Sequence, residues 1–194
     1  MSEAGNVAWR VFCAIELPAS VRAVVLRHIA DLKDAVPGAR ASWARDATLH
    51  LTLKFLGEIP TTSVPSFSNA VARAVSGVSP FSVHLNETGA FPKHGQPKVL
   101  WIGVDDGSRR LTDLQSRLEA ESEAAGYPKE QRPFHPHLTI ARLRDQRVAR
   151  ALASAHKEMQ FDPVVIPVSE LVVIRSELSS AGSKYTAVSR HALD

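Results

Sequence analysis

His50–Glu58 reads HLTLKFLGE, and His135–Arg142 reads HPHLTIAR. The string His-Leu-Thr followed by an aliphatic residue therefore occurs twice, at His50–Leu53 and at His137–Ile140. Both copies sit in runs of period two, and on an extended strand successive side chains point to opposite faces. In the first copy Leu49, Leu51, Leu53 and Phe55 are predicted to share one face, and His50, Thr52 and Lys54 the other. In the second, Phe134, Pro136, Leu138 and Ile140 share a face, opposite His135, His137, Thr139 and Ala141. Each strand is thus expected to turn aliphatic residues into a core while presenting an imidazole and a hydroxyl about 7 Å apart. Strict alternation puts Arg142 on the face opposite His137, and only a bulge or a strand end would bring the two together.

The pairing has a chemical reading. Imidazole titrates near neutrality and serves as either proton donor or acceptor. A threonine hydroxyl can donate a hydrogen bond to a phosphate oxygen. Two such units facing each other place imidazoles on opposite sides of one phosphorus, as in-line displacement requires. One neutral ring takes the nucleophile's proton, and one protonated ring gives a proton to the leaving oxygen. Either strand alone is an ordinary half-exposed strand with outward polar residues. In a chain with eight histidines, random placement yields the pair only about once in 10⁴ chains.

Working outward, Trp9–Leu17 reads as a buried strand ended by Pro18. Val21, Val24, Val25, Ile29 and Leu32 recur at helical spacing and predict a helix over Ser20–Asp34, stopped at Val36–Gly38. A short extended piece at Ala41–Ala44 and a strand at Thr48–Leu56 follow. A helix is expected over Thr62–Ser76, with Pro65 in its first turn. Strands are expected at Phe81–Glu87 and Val99–Val104, separated by the Gly- and Pro-rich Thr88–Lys98. Leu111, Leu114 and Leu118 mark a helix that Ser108 could cap, ending near Gly126. Then come a strand at His135–Leu143, a helix at Val148–Glu158, and strands at Val164–Val168, Leu171–Glu177 and Tyr185–Arg190, the last two joined by the turn SSAGSK. The fold class is α+β: two similar lobes with antiparallel sheets within a single domain over 1–194, the halves spanning about 9–87 and 99–190.

Composition narrows the functional classes. The chain has 194 residues, 44% hydrophobic and 22% charged, which is ordinary for a globular protein. No apolar run reaches the length of a membrane span, and MSEAGNVAWR has no signal-peptide pattern, so a cytoplasmic protein without membrane contact is expected. Cys13 is the sole cysteine and reads as a small buried hydrophobe. A net charge of +3 favours an anionic partner, but no basic run forms a track for duplex DNA. His135 and His137 share a face, yet no third ligand pattern accompanies them, and no metal is expected. His28, His84, His94, His156 and His191 show no partnering pattern and default to surface or core.

These residues resemble the two-histidine phosphoesterase superfamily, whose signature is a pair of His-x-[Thr/Ser]-x motifs. Arg10–Pro18, His50–Glu58, Phe134–Arg142, Leu100–Val104 and Ile174–Thr186 look like strands of its bacterial and archaeal RNA 2′,3′-cyclic phosphodiesterases, also called 2′-5′ RNA ligases. The resemblance runs from Arg10 to Thr186. It implies a bilobal fold with a pseudo-twofold and a central cleft. It also implies hydrolysis of 2′,3′-cyclic phosphate ends to 2′-phosphomonoesters without metal or other cofactor, with reversible 2′-5′ ligation as a related reaction. His50 would be the general acid, His137 the general base, and Thr52 and Thr139 the phosphate holders. The expected partners are RNA ends or small cyclic nucleotides, and a monomer is the default. Arg142, Arg132 and Lys54 are candidate phosphate contacts. Phe12, Tyr185 and Trp43 are candidate stacking surfaces for a base, and Ser176 a candidate at the cleft. Two other readings stay open: a non-catalytic RNA-end binding module, and a phosphodiesterase acting on another cyclic nucleotide or a 2′-5′ oligoadenylate.

Overall fold

The computed structural model describes residues 7–180 and 182–194. Its strands are β1 (Ala8–Glu16), β2 (Ala41–Trp43), β3 (His50–Pro60), β4 (Phe81–Phe91), β5 (Val99–Asp105), β6 (His137–Leu143), β7 (Val164–Val168), β8 (Glu170–Ser179) and β9 (Gly182–Ala192). Its helices are α1 (Ala19–Ala35), α2 (Val64–Val75), α3 (Arg110–Ala124) and α4 (Gln146–Glu158). The strands form two sheets, ordered β3-β1-β8-β9 and β2-β6-β5-β4-β7, and every pairing is antiparallel.

Each helix follows the apolar stripe of its sequence. On α1, Val21, Val25, Ile29 and Leu32 are buried, and the stripe also takes in His28. Pro65 lies in the first turn of α2, where a missing N–H costs nothing. On α3, Leu111, Leu114 and Leu118 are buried as expected, but Ser108 does not cap it. The Asp106 carboxylate accepts instead from the Leu111 and Thr112 amides, at 3.1 and 2.8 Å. Helix α4 starts two residues earlier than its hydrophobic pattern, because Asp145 accepts from the Arg147 amide at 2.9 Å. Strand β1 is central in its sheet and covered on both faces, so Val11–Ile15 is buried throughout. Burial pushes the Cys13 thiol up and leaves it an inert core group.

The sheets do not follow the halves of the chain. β8 and β9 join β1 and β3, whereas β2 and β4 join β5, β6 and β7. Likewise α2 and α3 pack near the first sheet, and α1 and α4 near the second. The Gly/Pro-rich segment is shorter than expected: β4 runs on to Phe91, before a cis peptide to Pro92, and pairs with β5 across the remaining loop. A boundary near 88–98 therefore falls inside one sheet. The reason is pairing: β4 and β5 are successive antiparallel strands joined by a short connection.

Candidate active site

The two motif strands lie in different sheets and come into contact with each other. A cleft of about 520 Å³ is lined by His50 and Thr52 from β3 and by His137 and Thr139 from β6. Alternation delivers this much, with Leu51 and Leu138 buried behind.

Both strands then depart from strict alternation at the same place. Ala14 pairs with Thr52 but Cys13 with Lys54, leaving Leu53 as an extra residue. Trp101 pairs with Thr139 but Leu100 with Ala141, leaving Ile140 as an extra residue. Each motif thus ends in a β-bulge, which re-phases everything after it. On β6 the bulge carries Arg142 round to the cleft, where it is exposed and lines the wall. On β3 it corrects the predicted faces: Phe55 is 50% exposed, and Lys54 is buried away from the cleft. The Lys54 Nζ donates to Glu119 at 2.6 Å and to the Pro128 carbonyl at 3.0 Å, so Lys54 is an internal ion pair rather than a phosphate contact.

The histidines have matched settings. His137 Nδ1 lies 2.7 Å from the His135 carbonyl, which assigns its proton to Nδ1 and leaves Nε2 as the free nitrogen. Phe91 packs edge-on against its ring at 5.1 Å. Burial lowers its pKa; the hydrogen bond to the His135 carbonyl opposes this, and the Arg142 and His135 charges add smaller lowering contributions. His50 is hemmed in by Phe12 at 4.7 Å and Tyr185 at 5.1 Å. Its Nδ1 is buried without a well-formed hydrogen bond, although the Thr48 backbone, also two residues upstream, favours the protonated ring. Burial dominates and brings its pKa down to about 4, with Glu16 a smaller opposing influence.

Other candidates divide. Tyr185 and Trp43 line the cleft. Phe12 does not, because at 3% exposure it lies beneath His50 and Tyr185 and cannot receive a base on its face. Arg132 is not on the cleft wall; its guanidinium points to solvent and grips Glu130 through two hydrogen bonds. Ser176 is buried opposite Arg10 on β1 and is also absent from the wall. Arg45, Arg144, Ser179 and Ser183 also line the cleft; Arg45 and Arg144 come from connecting segments and the two serines from the ends of β8 and β9, places whose positions the strand pattern does not specify. Arg45 reaches the β8–β9 turn and donates to the Ser183 carbonyl at 3.0 Å. A Cβ at Gly182 would meet its guanidinium at 2.5 Å, and the residue's φ of +108° also favours glycine there. The wall therefore carries three arginines and, among the described residues, no carboxylate. It can hold an anion between two imidazoles.

The sequence profile of the 2′-5′ RNA ligase superfamily matches residues 20–179. An RNA 2′,3′-cyclic phosphodiesterase of Methanothermobacter thermautotrophicus is 34% identical over 178 residues, covering 91% of this chain and 95% of its own. The Escherichia coli RNA 2′,3′-cyclic phosphodiesterase is 29% identical over 184 residues, covering 95% and 96%. The crystal structure of E. coli LigT complexed with 3′-AMP superposes with a TM-score of 0.75 at 27% identity, covering 96% of this chain and 99% of that one. With the profile spanning most of its length and both motif strands at one cleft, the chain belongs to the 2′-5′ RNA ligase superfamily.

Proposed function

We propose that the chain hydrolyses RNA 2′,3′-cyclic phosphate ends to 2′-phosphomonoesters. The observation that carries this is the meeting of two His-x-Thr units, one from each sheet, at a cleft with three arginines and, among the described residues, no carboxylate. The relatives named RNA 2′,3′-cyclic phosphodiesterase support the same substrate.

In this reading the cyclic phosphate sits between the rings. Arg142, Arg45 and Arg144 supply its countercharge, and the Thr52 and Thr139 hydroxyls donate to its non-bridging oxygens. His137 Nε2 takes a proton from water as the water oxygen bonds to phosphorus. The bond from phosphorus to O3′ breaks, and O3′ takes its proton from His50 Nε2. The product carries a 2′-phosphate and a free 3′-hydroxyl. Enclosure of His50 by Phe12 and Tyr185 makes its protonated form the stronger acid, as suits a donor to an alkoxide. A ribose 5′-hydroxyl in place of water converts the same steps into 2′-5′ ligation.

The test is turnover of a nucleoside 2′,3′-cyclic phosphate with EDTA present. His50→Ala and His137→Ala should each lower kcat by about 10²–10⁴-fold. Retention of full activity in either variant, or loss of wild-type activity on chelation, overturns the mechanism. Tight binding of cyclic-phosphate RNA without turnover would favour the binding-module reading instead.

A further inference from the structure

Two buried imidazoles outside the cleft have no part in the proposed chemistry. His156 on α4 is fully buried, and His28 on α1 nearly so. Burying an imidazole costs free energy unless its nitrogens find partners, and an apolar side chain would serve packing alone. Here the nitrogens form a chain of hydrogen bonds. His156 Nε2 lies 2.9 Å from the Trp101 carbonyl, and His156 Nδ1 lies 3.0 Å from His28 Nε2. A carbonyl only accepts, so His156 carries its proton on Nε2, and its Nδ1 accepts from the His28 Nε2–H. Burial lowers the pKa of both rings, that of His156 to about 4, which keeps them neutral at pH 7 and the hydrogen bonds directed one way. Phe161 packs edge-on against the His28 ring at 5.3 Å and limits its rotation.

The carbonyl that receives this chain sits at the register break after the second motif. Trp101 pairs with Thr139 and Leu100 with Ala141, so Ile140 is the extra residue. At a bulge the regular ladder is locally disrupted. On the β2 side the Ile140 carbonyl accepts from the Ala44 amide at 2.8 Å. On the β5 side His156 holds the Trp101 carbonyl. The break is thus gripped on both flanks. Its consequence lies on the cleft wall: Thr139 before it and Arg142 after it line the same cavity, which strict alternation forbids. The first motif has the same arrangement. Next to its extra residue Leu53, Lys54 is held by Glu119 of α3 at 2.6 Å. Each bulge is therefore anchored from a helix by a buried polar side chain.

We propose that His156, oriented by His28, is a positioning residue for the second half-site: through the Trp101 carbonyl it holds the register that puts Thr139 and Arg142 on one wall of the cleft. The inference rests on the reading of Thr139 and Arg142 as phosphate contacts. His156 touches no reacting atom and transfers no proton. A slip of the break by one residue would return Arg142 to the far face and strip this wall of its countercharge.

The experiment compares His156→Phe, which fills the space without a donor, with His156→Gln, whose amide N–H can reach the carbonyl. With a nucleoside 2′,3′-cyclic phosphate, His156→Phe should raise KM about tenfold with a smaller change in kcat. His156→Gln should restore most of that loss. In an Arg142→Ala background, His156→Phe should alter KM by less than about twofold, because the contact it serves is already gone. A merely structural role would give the same factor in both backgrounds. Equal factors, or a His156→Phe variant with wild-type KM, overturn the inference. Equilibrium dialysis of inorganic phosphate repeats the comparison without turnover. Phosphate affinity coupled in this way, in a protein that hydrolyses nothing, counts against the proposed function alone. Hydrolysis with uncoupled variants counts against the inference alone. Should His156→Phe fail to fold, the wild-type protein reads the chain of hydrogen bonds directly. Imidazole nitrogen NMR spectra at pH 7 should show His156 neutral with its proton on Nε2, and a proton on Nδ1 overturns the inference.

Discussion

At the level of single residues, the proposed chemistry depends on two imidazoles held in low-polarity surroundings. Burial lowers both, His50 to about 4 from an ordinary 6.5 and His137 in the same direction. The product of one protonated and one neutral ring peaks between the two pKa values. The kcat/KM optimum for a cyclic nucleotide should therefore lie below pH 6.5, with activity falling as pH rises and the acid loses its proton. A bound phosphate favours the protonated ring, so the kcat optimum should sit at higher pH than that of kcat/KM. Parallel pH profiles check this, and a kcat/KM optimum at alkaline pH would contradict it. In the proposed mechanism Arg142 offers a planar fork to the phosphate, and Arg142→Lys should raise KM about tenfold with a smaller change in kcat. Steady-state kinetics at saturating and limiting substrate separate the two. His50, Thr52, His137 and Thr139 were legible because a two-residue period is local. Phe12 and Arg132 were not, because whether a side chain lies on a cleft wall or behind it is decided by its neighbours in space.

Within an element, the β-bulge after each motif is what the letters conceal. It sends Lys54 inward to Glu119, both at most 5% exposed on their side chains, and Phe55 outward. Breaking such a pair strands a buried charge. Lys54→Met should destabilise by about 3–5 kcal/mol, whereas Lys54→Met/Glu119→Leu should recover most of the loss. Urea unfolding of the two variants at pH 7 provides the comparison. If the single substitution costs less than the double, the pair is not stabilising the bulged register. Strand and helix existence was readable along nearly the whole chain, since apolar periodicity marks the buried faces. The bulges were not, because an extra residue appears only when a strand is aligned with its partner. Arg142 shows the consequence: alternation alone puts it behind the site, and the register of β6 with β5 brings it to the cleft.

Across the whole molecule, the two halves of the chain are tied together by contacts that no local pattern announces. His28 on α1 lies 3.0 Å from His156 on α4, whose other ring nitrogen lies 2.9 Å from the Trp101 carbonyl on β5. Burial lowers both pKa values, that of His156 to about 4. As pH falls below 6.5, the unfolded chain takes up protons first, so this contribution to stability is full above 6.5 and is lost toward pH 4. His156→Gln cannot titrate there, and its unfolding free energy should decline less steeply than the wild type's between pH 6.5 and 4.5. Denaturant midpoints measured across that interval check the difference, and parallel slopes would remove the dyad from the account. The sequence by itself determined the α+β class, nearly every strand and helix, and the two polar half-sites, because hydrophobic periodicity and the His-x-Thr spacing act over a few residues. Only the tertiary structure decided that the sheets interleave the two halves of the chain, that turns bring Arg45 and Arg144 to the cleft, and that His156 meets the Trp101 carbonyl. Those features come from pairing between segments far apart in the chain, where register and packing, rather than local preference, set the positions of the side chains.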